Sequence, residues 1–275
     1  MLSGVEKAFE KFAAGLKIPK ERLKITLERS EYLSEWFKRK LKVTGTFHGG
    51  SYRRGTGMPL DSLKLHLIFS QKYYYEYKEN SAKLLYFVKN QLLEDYNQAL
   101  IIKGGLAVRI KVPTAVDLDL LPTIKLTQEG YLVPNGNGGW SKTNPAREKQ
   151  IFKTKDENSS GKFLKLVKII KAYNLKAGRP FNPYFLELVI FYRVNEFTKL
   201  CADLVHALFS SMRLFLPEFL NCPAAGEIIS SGAPESVRRR LIDEAFALTS
   251  RAAGEREYEK SVLLWKSLLG DRFGK

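Results

Sequence analysis

Apolar side chains recur at helical spacing through the first forty residues. Val5, Phe9, Phe12 and Leu16 lie three and four apart, and Leu23, Ile25, Leu27, Tyr32, Leu33 and Trp36 follow among charges. The pattern predicts helix over 3–40, broken at Pro19. Gly45 to Gly57 is rich in glycine and contains FHGGSYRRGTG. The period then changes. Leu63, Leu65 and Leu67 alternate with Lys64 and His66, which predicts a strand from Leu63 to Phe69. An amphipathic helix is expected over 81–100. Strands are expected at 105–112 and 115–121, the second stopped by Pro122. The stretch 133–160 is rich in Gly, Asn, Ser and Lys and reads as a long loop. From 161 onward the apolar spacing is helical to the end, apart from a break at NCPAAG.

Composition narrows the class. The chain has 275 residues, with 44% hydrophobic and 12% aromatic, enough to bury a core, so wholesale disorder is excluded. Two cysteines and three histidines leave no disulfide scaffold and no structural zinc cluster. No apolar run approaches the ~20 residues of a membrane span, and MLSGVEKAFEKFAAG has charges where a signal peptide needs an apolar core. A reducing, cytoplasmic location is expected, with no membrane partner. Lys plus Arg is 45 against 29 for Asp plus Glu, a net charge of +16. That surplus is either a solubility device or the mark of an anionic partner.

Two clusters carry candidate chemistry. In Gly49-Gly50-Ser51 the glycines permit a tight turn whose N–H groups face an anion. The Ser51 hydroxyl can bond a phosphate oxygen, and Arg53 and Arg54, with Thr56 close behind, add charge and a further hydroxyl. An ordinary turn between strand and helix fits these residues equally well. In VDLDLLP, Asp117 and Asp119 are two apart in an expected strand, so both point to one face. Carboxylates on one strand face beside a phosphate turn are what a Mg²⁺ site for nucleotidyl transfer needs. The bland reading is an edge strand with a solvated face.

The series GGSYRRGT, then a strand, then VDLDLLP resembles the polymerase-beta-like nucleotidyltransferases. Within them it is similar to the CD-NTases, which include bacterial cyclic-oligonucleotide synthases, cyclic-GMP-AMP synthase and oligoadenylate synthetase. Trp140-Ser-Lys-Thr-Asn144-Pro145, LVKIIKAYN with Lys171, FNPYFLELV with Glu187, NCPAAG and WKSLLGDRF extend the resemblance over roughly residues 40 to 273. It implies an α+β fold: a nucleotidyltransferase lobe with a mixed sheet, including the N-terminal helices, over 1–135, and a helical lobe over 136–275. The long N-terminal helix is expected to pack on both lobes, and the nucleotide cleft to lie between them. Nucleotide contacts are implied at Gly50, Ser51, Arg53, Arg54, Thr56, Trp140, Lys171 and Tyr184.

One departure matters. The family carries an acidic D-x-D pair on the strand after Gly-Thr. An ungapped reading puts Leu63 and Leu65 at those positions, and a one-residue shift puts Lys64 and His66 there. The shifted register keeps the apolar face inward and is preferred. Either way the pair is gone. Asp119 matches the third acid, with Asp61 and Asp117 as substitutes in an unusual metal site. A lysine ammonium repels metal ions but can meet a triphosphate directly.

The resemblance therefore implies a degenerate member, working in prokaryotic antiviral defence, that binds a nucleotide, cyclic oligonucleotide or nucleic acid. Two alternatives remain: an active synthase, and a pseudo-enzyme partner of an active homologue or a defence effector protein. No cofactor is implied except Mg²⁺ or Mn²⁺, which enters only if the chain is active. Tyr73, Tyr74, Tyr75 and Tyr77 are expected to pack rather than bind nucleic acid; Tyr173 and Tyr184 either line the nucleotide pocket, as the resemblance implies for Tyr184, or pack, and their residue type alone favours packing. His48 is expected to be a strand-end residue, Arg238–Arg240 a helix face, and Cys201 and Cys222 buried thiols.

Overall fold

Pro19 cannot continue a helix, and the chain turns there: α1 spans Gly4–Gly15 and α2 spans Lys20–Leu41. The computed structural model describes residues 4–95, 99–102, 106–126, 129–195 and 201–275. The chain forms two compact units. One is 18–150 with 223–227; the other is 1–17 with 151–222 and 228–275. The first α/β-to-helical division thus falls at 150/151 rather than 135/136, and the first seventeen residues group with the helical unit.

In the first unit α2 leads to β1 (Gly45–Gly49), the single-turn helix α3 (Gly50–Arg54) and β2 (Leu63–Phe69). Helices α4 (Gln71–Tyr77) and α5 (Ser81–Leu93) follow, then strands β3 (Ala99–Ile101), β4 (Val108–Ile110), β5 (Leu118–Lys125), β6 (Tyr131–Pro134) and β7 (Trp140–Thr143). The sheet order is β1-β2-β5-β4-β3, with β6 on β5 and β7 on β6. Only β2–β5 is parallel among the described pairings.

The alternation in β2 sets the two faces. Leu63, Leu65 and Leu67 are buried with Val108, Ile110, Leu118 and Leu120, against Leu33 and Phe37 of α2 and Leu84, Leu85 and Val88 of α5. Lys64, His66, Arg109 and Asp119 therefore share the opposite face. Pro122 does not stop β5. Leu63 N donates to Asp117 O across β2–β5, so the odd residues of β5 bond β2 and Pro122 faces the other side. There the pairing with β4 stops at Leu120 and the pairing with β6 starts at Ile124, so no ladder donor is required of the proline.

Two further expectations change. The helix expected over 81–100 ends at Leu93, and Ala99–Ile101 is a strand. Residues 133–160 hold β6, β7 and α6 (Pro145–Asn158) instead of a loop. The Asn135–Gly139 stretch is a tight turn: Asn135 Oδ1 accepts from Asn137 N at 2.9 Å and Gly139 N at 3.0 Å. Asn144 caps α6, its Oδ1 accepting from Arg147 N at 3.1 Å.

The helical unit holds α1, α7 (Lys162–Lys176), α8 (Pro183–Arg193) and α9 (Cys201–Leu214). It also holds a short hairpin of β8 (Phe219–Asn221) and β9 (Ile228–Ser230), then α10 (Glu235–Gly254) and α11 (Tyr258–Leu269). Phe9 meets Trp265 and Phe273 edge-on, each with centroids 4.9 Å apart, which seats α1 on this core. The helical spacing read from 161 onward crosses 196–200, and the strand expected at 105–112 starts at 105; these positions lie outside the described residues. No helix among the described residues is long and apolar enough to cross a membrane.

Candidate active site

Strand register builds the site. Gly49 pairs with Lys64, Lys64 with Asp119, and Asp119 with Arg109. One row thus crosses β1, β2, β5 and β4, and Asp119 lies between two cationic neighbours at strand spacing. Asp119 is 3% exposed. Arg109 Nε donates to its Oδ1 at 2.6 Å and Arg109 Nη2 to its Oδ2 at 2.8 Å, a bidentate pair. Ser62 Oγ also donates to Oδ2 and accepts from Arg109 Nη2 at 3.2 Å. Hydrogen bonding to Asp119 raises the Arg109 pKa further.

The shifted register is the one the fold adopts, with Lys64 and His66 on the Asp119 face and Leu63 and Leu65 in the core. His66 is buried and stacks on Phe47, with centroids 4.5 Å apart and planes 8° from parallel. Its Nδ1 lies 3.0 Å from Thr123 Oγ1, whose hydroxyl donates to Leu121 O at 2.9 Å. The threonine oxygen therefore accepts, and Nδ1 carries the proton. Burial, reinforced by the charge of Lys64, pushes the His66 pKa down to about 3, so the ring is neutral.

The two glycines fit these side chains. A Cβ on Gly49 would lie 2.4 Å from His66 Nε2. Gly50 has φ +67°, and a Cβ there would lie 2.8 Å from Lys64 Cδ. The first glycine makes room for the imidazole, and the second turns the chain over the lysine stem.

After the turn, Ser51 Oγ donates to Asp61 Oδ2 at 3.1 Å, and that oxygen also accepts from Met58 N at 3.1 Å. Thr56 is buried and closes the loop, donating through its backbone N to Ser51 O at 2.9 Å. Arg53 donates to Pro145 O at 3.2 Å and His48 O at 3.1 Å. Arg54 is buried against Glu148, Nη1 to Oε2 at 2.6 Å. The expectation that both arginines present charge at the turn thus meets a structural ion pair at Arg54. His48 Nε2 pairs with Ser30 Oγ at 2.7 Å, and burial beside Arg53 lowers its pKa.

Carboxylates bridging divalent ions are what the resemblance implies here, and these residues do not fit them. Both oxygens of Asp119 are held by Arg109, its register neighbour is a lysine, and the other polar side chain on that face is a neutral, stacked imidazole. Asp61 is engaged by Ser51 and Met58. Asp117 Oδ1 accepts from Val112 N at 3.4 Å. Asp119 lies in β5, which is central in the sheet, so it is not on a solvated edge; Asp117 precedes the strand instead of sharing its face, because β5 begins at Leu118. Among the described residues, the acid and thiol ligands close enough to share an ion are Glu6, Glu10 and Cys201, within 4.8 Å in the helical unit. There Glu6 accepts from Cys201 N, and Lys165 pairs with Glu10.

A cavity of about 130 Å³ adjoins the row, lined by Arg22, Asp61, Ser62, Arg109 and Asp117 among others. A larger one, about 900 Å³, lies in the helical unit beside Phe215, Phe219 and Arg238 and contains none of the sequence-predicted nucleotide contacts.

The remaining candidates have local roles. Trp140 packs on Tyr74 with centroids 5.8 Å apart, and its Nε1 is buried without a partner among the described residues. Tyr73 packs on Phe69 from α4, so the tyrosine run belongs to a short helix after the strand. In the helical unit Lys171 is no solvated lysine: it is buried, with Nζ 3.5 Å from Glu187 Oε1. Tyr184 Oη lies 3.1 Å from Cys222 Sγ, and Tyr173 Oη donates to Leu241 O at 2.9 Å. Arg238 is buried against Ser231 and Ala233, while Arg239 and Arg240 pair with Glu235 and Glu244 on the surface. Burial pushes the Cys201 thiol up to about 12, and both cysteines are free and buried.

Arg109 and Ser62 are the site residues that sequence reading missed. The available signal was the alternation Val108-Arg109-Ile110, which sets Arg109 opposite the core.

The model of the Second Messenger Oligonucleotide or Dinucleotide Synthetase domain matches residues 4–158, more than half of the chain. A cyclic AMP-AMP-AMP synthase from an Acinetobacter strain is 23% identical over 258 residues, covering 88% of this chain and 72% of that protein. Among solved structures, E. coli MS115-1 CdnC superposes with a TM-score of 0.78, both with ATP and in complex with HORMA-deltaN. The ATP form is 15% identical, with 98% of this chain and 99% of that one covered. The CD-NTase CdnG of Bradyrhizobium diazoefficiens, in complex with GTP, gives 0.74 at 11% identity, covering 98% and 96%.

Proposed function

The chain belongs to the CD-NTase family, the second messenger oligonucleotide or dinucleotide synthetases, and from that membership we propose that it is a catalytically degenerate member. It binds a nucleotide or cyclic oligonucleotide and does not make one at the rate of an active synthase. The observation that carries this reading is the row Gly49–Lys64–Asp119–Arg109. Two-metal transfer needs carboxylates that hold ions against the attacking hydroxyl and the triphosphate. Here the partner strand offers a lysine and a buried neutral histidine, and the remaining acid is clamped by a guanidinium. Removing one electrostatic stabiliser from such a site costs about 10²–10³ in rate, and this row lacks more than one. Nucleotides in the structures of CdnC with ATP and CdnG with GTP support a nucleotide as the ligand class.

The test is direct. The protein is incubated with labelled nucleoside triphosphates and Mg²⁺ or Mn²⁺, with and without DNA or RNA. No oligonucleotide product is expected, while thermal stability rises with a bound nucleotide roughly as RT ln(1 + [L]/Kd). Robust product that disappears in Asp119→Ala sinks the degenerate reading. One observation favours the active alternative: Asp61 and Asp117 line the same small cavity. Product lost in Asp61→Asn and Asp117→Asn would establish it.

A further inference from the structure

A nucleotide's phosphates carry several negative charges, and a transferase normally offsets them with ions held on carboxylates. This site already contains fixed cations. Arg109 uses Nε and Nη2 on Asp119 and Ser62, and its Nη1 makes no hydrogen bond among the described residues. Its side chain is 32% exposed and lines the 130 Å³ cavity with Arg22, Ser62 and two acids, Asp61 and Asp117. That volume is small beside the roughly 300–1,000 Å³ of a pocket for a whole drug-sized molecule, and it suits a phosphate group better than a base. Lys64 stands on the other side of Asp119 in the same row. The acids nearby are engaged within the chain: Asp119 is clamped by Arg109, Asp61 accepts from Ser51 Oγ and Met58 N, and Asp117 accepts from Val112 N.

We infer that Arg109, assisted by Lys64, takes the place of the divalent ion, and that this site binds the polyphosphate of a nucleotide without metal. The inference rests on the nucleotide-binding reading above and names its chemistry. A guanidinium held at two edges by a carboxylate and a serine is oriented in advance, so its free edge meets phosphate oxygens at little entropic cost. Asp119 is then a positioning residue for Arg109 and not a metal ligand.

The experiment titrates ATP and inorganic tripolyphosphate into the intact protein by calorimetry, once in excess EDTA and once in excess Mg²⁺. Binding is expected to be as tight or tighter in EDTA, because Mg²⁺ neutralises the phosphates before Arg109 can. Arg109→Gln and Lys64→Gln are each expected to weaken ATP binding about tenfold or more, the effect of losing one charge-assisted contact. Asp119→Asn, which frees the guanidinium from its clamp, is expected to weaken it less. ATP that binds only with Mg²⁺ overturns the inference and leaves the nucleotide-binding reading standing. ATP that binds in neither buffer overturns both. Unchanged binding in folded Arg109→Gln and Lys64→Gln overturns the inference alone. If those variants fail to fold, Mn²⁺ binding to the wild-type protein, read by electron paramagnetic resonance, decides. No tightly bound Mn²⁺ supports the inference, and a bound ion lost in Asp119→Asn overturns it.

Discussion

Asp119 and Glu187 are both buried carboxylates held by a basic side chain, one in each unit, and they differ in what the base can still reach. Lys171 and Glu187 are 4% and 1% exposed, each a helix residue closed inside the helical unit. Arg109 holds Asp119 more closely, at 2.6 Å against 3.5 Å, but keeps about a third of its side chain open beside a cavity. The sealed pair stabilises mainly by avoiding the cost of an unpaired buried charge. The open pair has a free edge, and chemistry needs one. Burial of the acid alone does not distinguish the two pairs; access to its partner does.

The comparison is broken most forcefully from the sealed side. Glu187→Ala leaves the Lys171 charge buried without this partner and is expected to cost about 3–5 kcal/mol in denaturant unfolding. A loss below 1 kcal/mol would mean that the lysine reaches water or another acid, and the contrast collapses.

Next in size is an acid-side effect at the open site. His66 is neutral when folded, with its pKa pushed down to about 3 by burial, and it titrates near the ordinary imidazole value when unfolded. The unfolded chain therefore binds the extra proton between those values. Stability is flat above about pH 6.5 and falls as pH drops below it, by about 3 kcal/mol at pH 4 from this residue alone. His66→Leu should flatten that part of the profile. An unchanged profile would show that the ring takes a proton without opening the fold.

Asp119→Asn comes third, with an expected loss of about 1–3 kcal/mol, below that of Glu187→Ala because Arg109 can turn toward water. The smallest effect is Arg239→Ala. Its pair with Glu235 is on the surface, at 75% and 69% side-chain exposure, and the unfolding midpoint should not move. A clear shift there would mean that exposure is a poor guide to these pairs.

Much of the first unit was legible from alternation alone. Leucines at 63, 65 and 67 fix which face of β2 is core, and Lys64 and His66 must then share the face of Asp119. Arg109 was not legible, because one arginine among Val108 and Ile110 is ordinary strand patterning, and only the β4–β5 register sets it opposite Asp119. Helix α6 was missed because its sequence is polar on nearly every side and its start is signalled only by Asn144-Pro145. Lys171 and Glu187 misled for the opposite reason. Each sits in a helix buried around most of its circumference, where a charged residue gives no hint that its partner lies on the neighbouring helix.

The fit of His66 against Gly49 and of Lys64 against Gly50 also bears on inheritance. Neither glycine can gain a side chain while those residues stay, and shrinking either of them empties the space it fills against the turn. The four positions should therefore drift as linked pairs across related genes: wherever an imidazole occupies the place of His66, the residue corresponding to Gly49 stays bare. An acid introduced on β2 by a single substitution would still face an Asp119 held by Arg109, so freeing two carboxylates on this face needs more than one coordinated change.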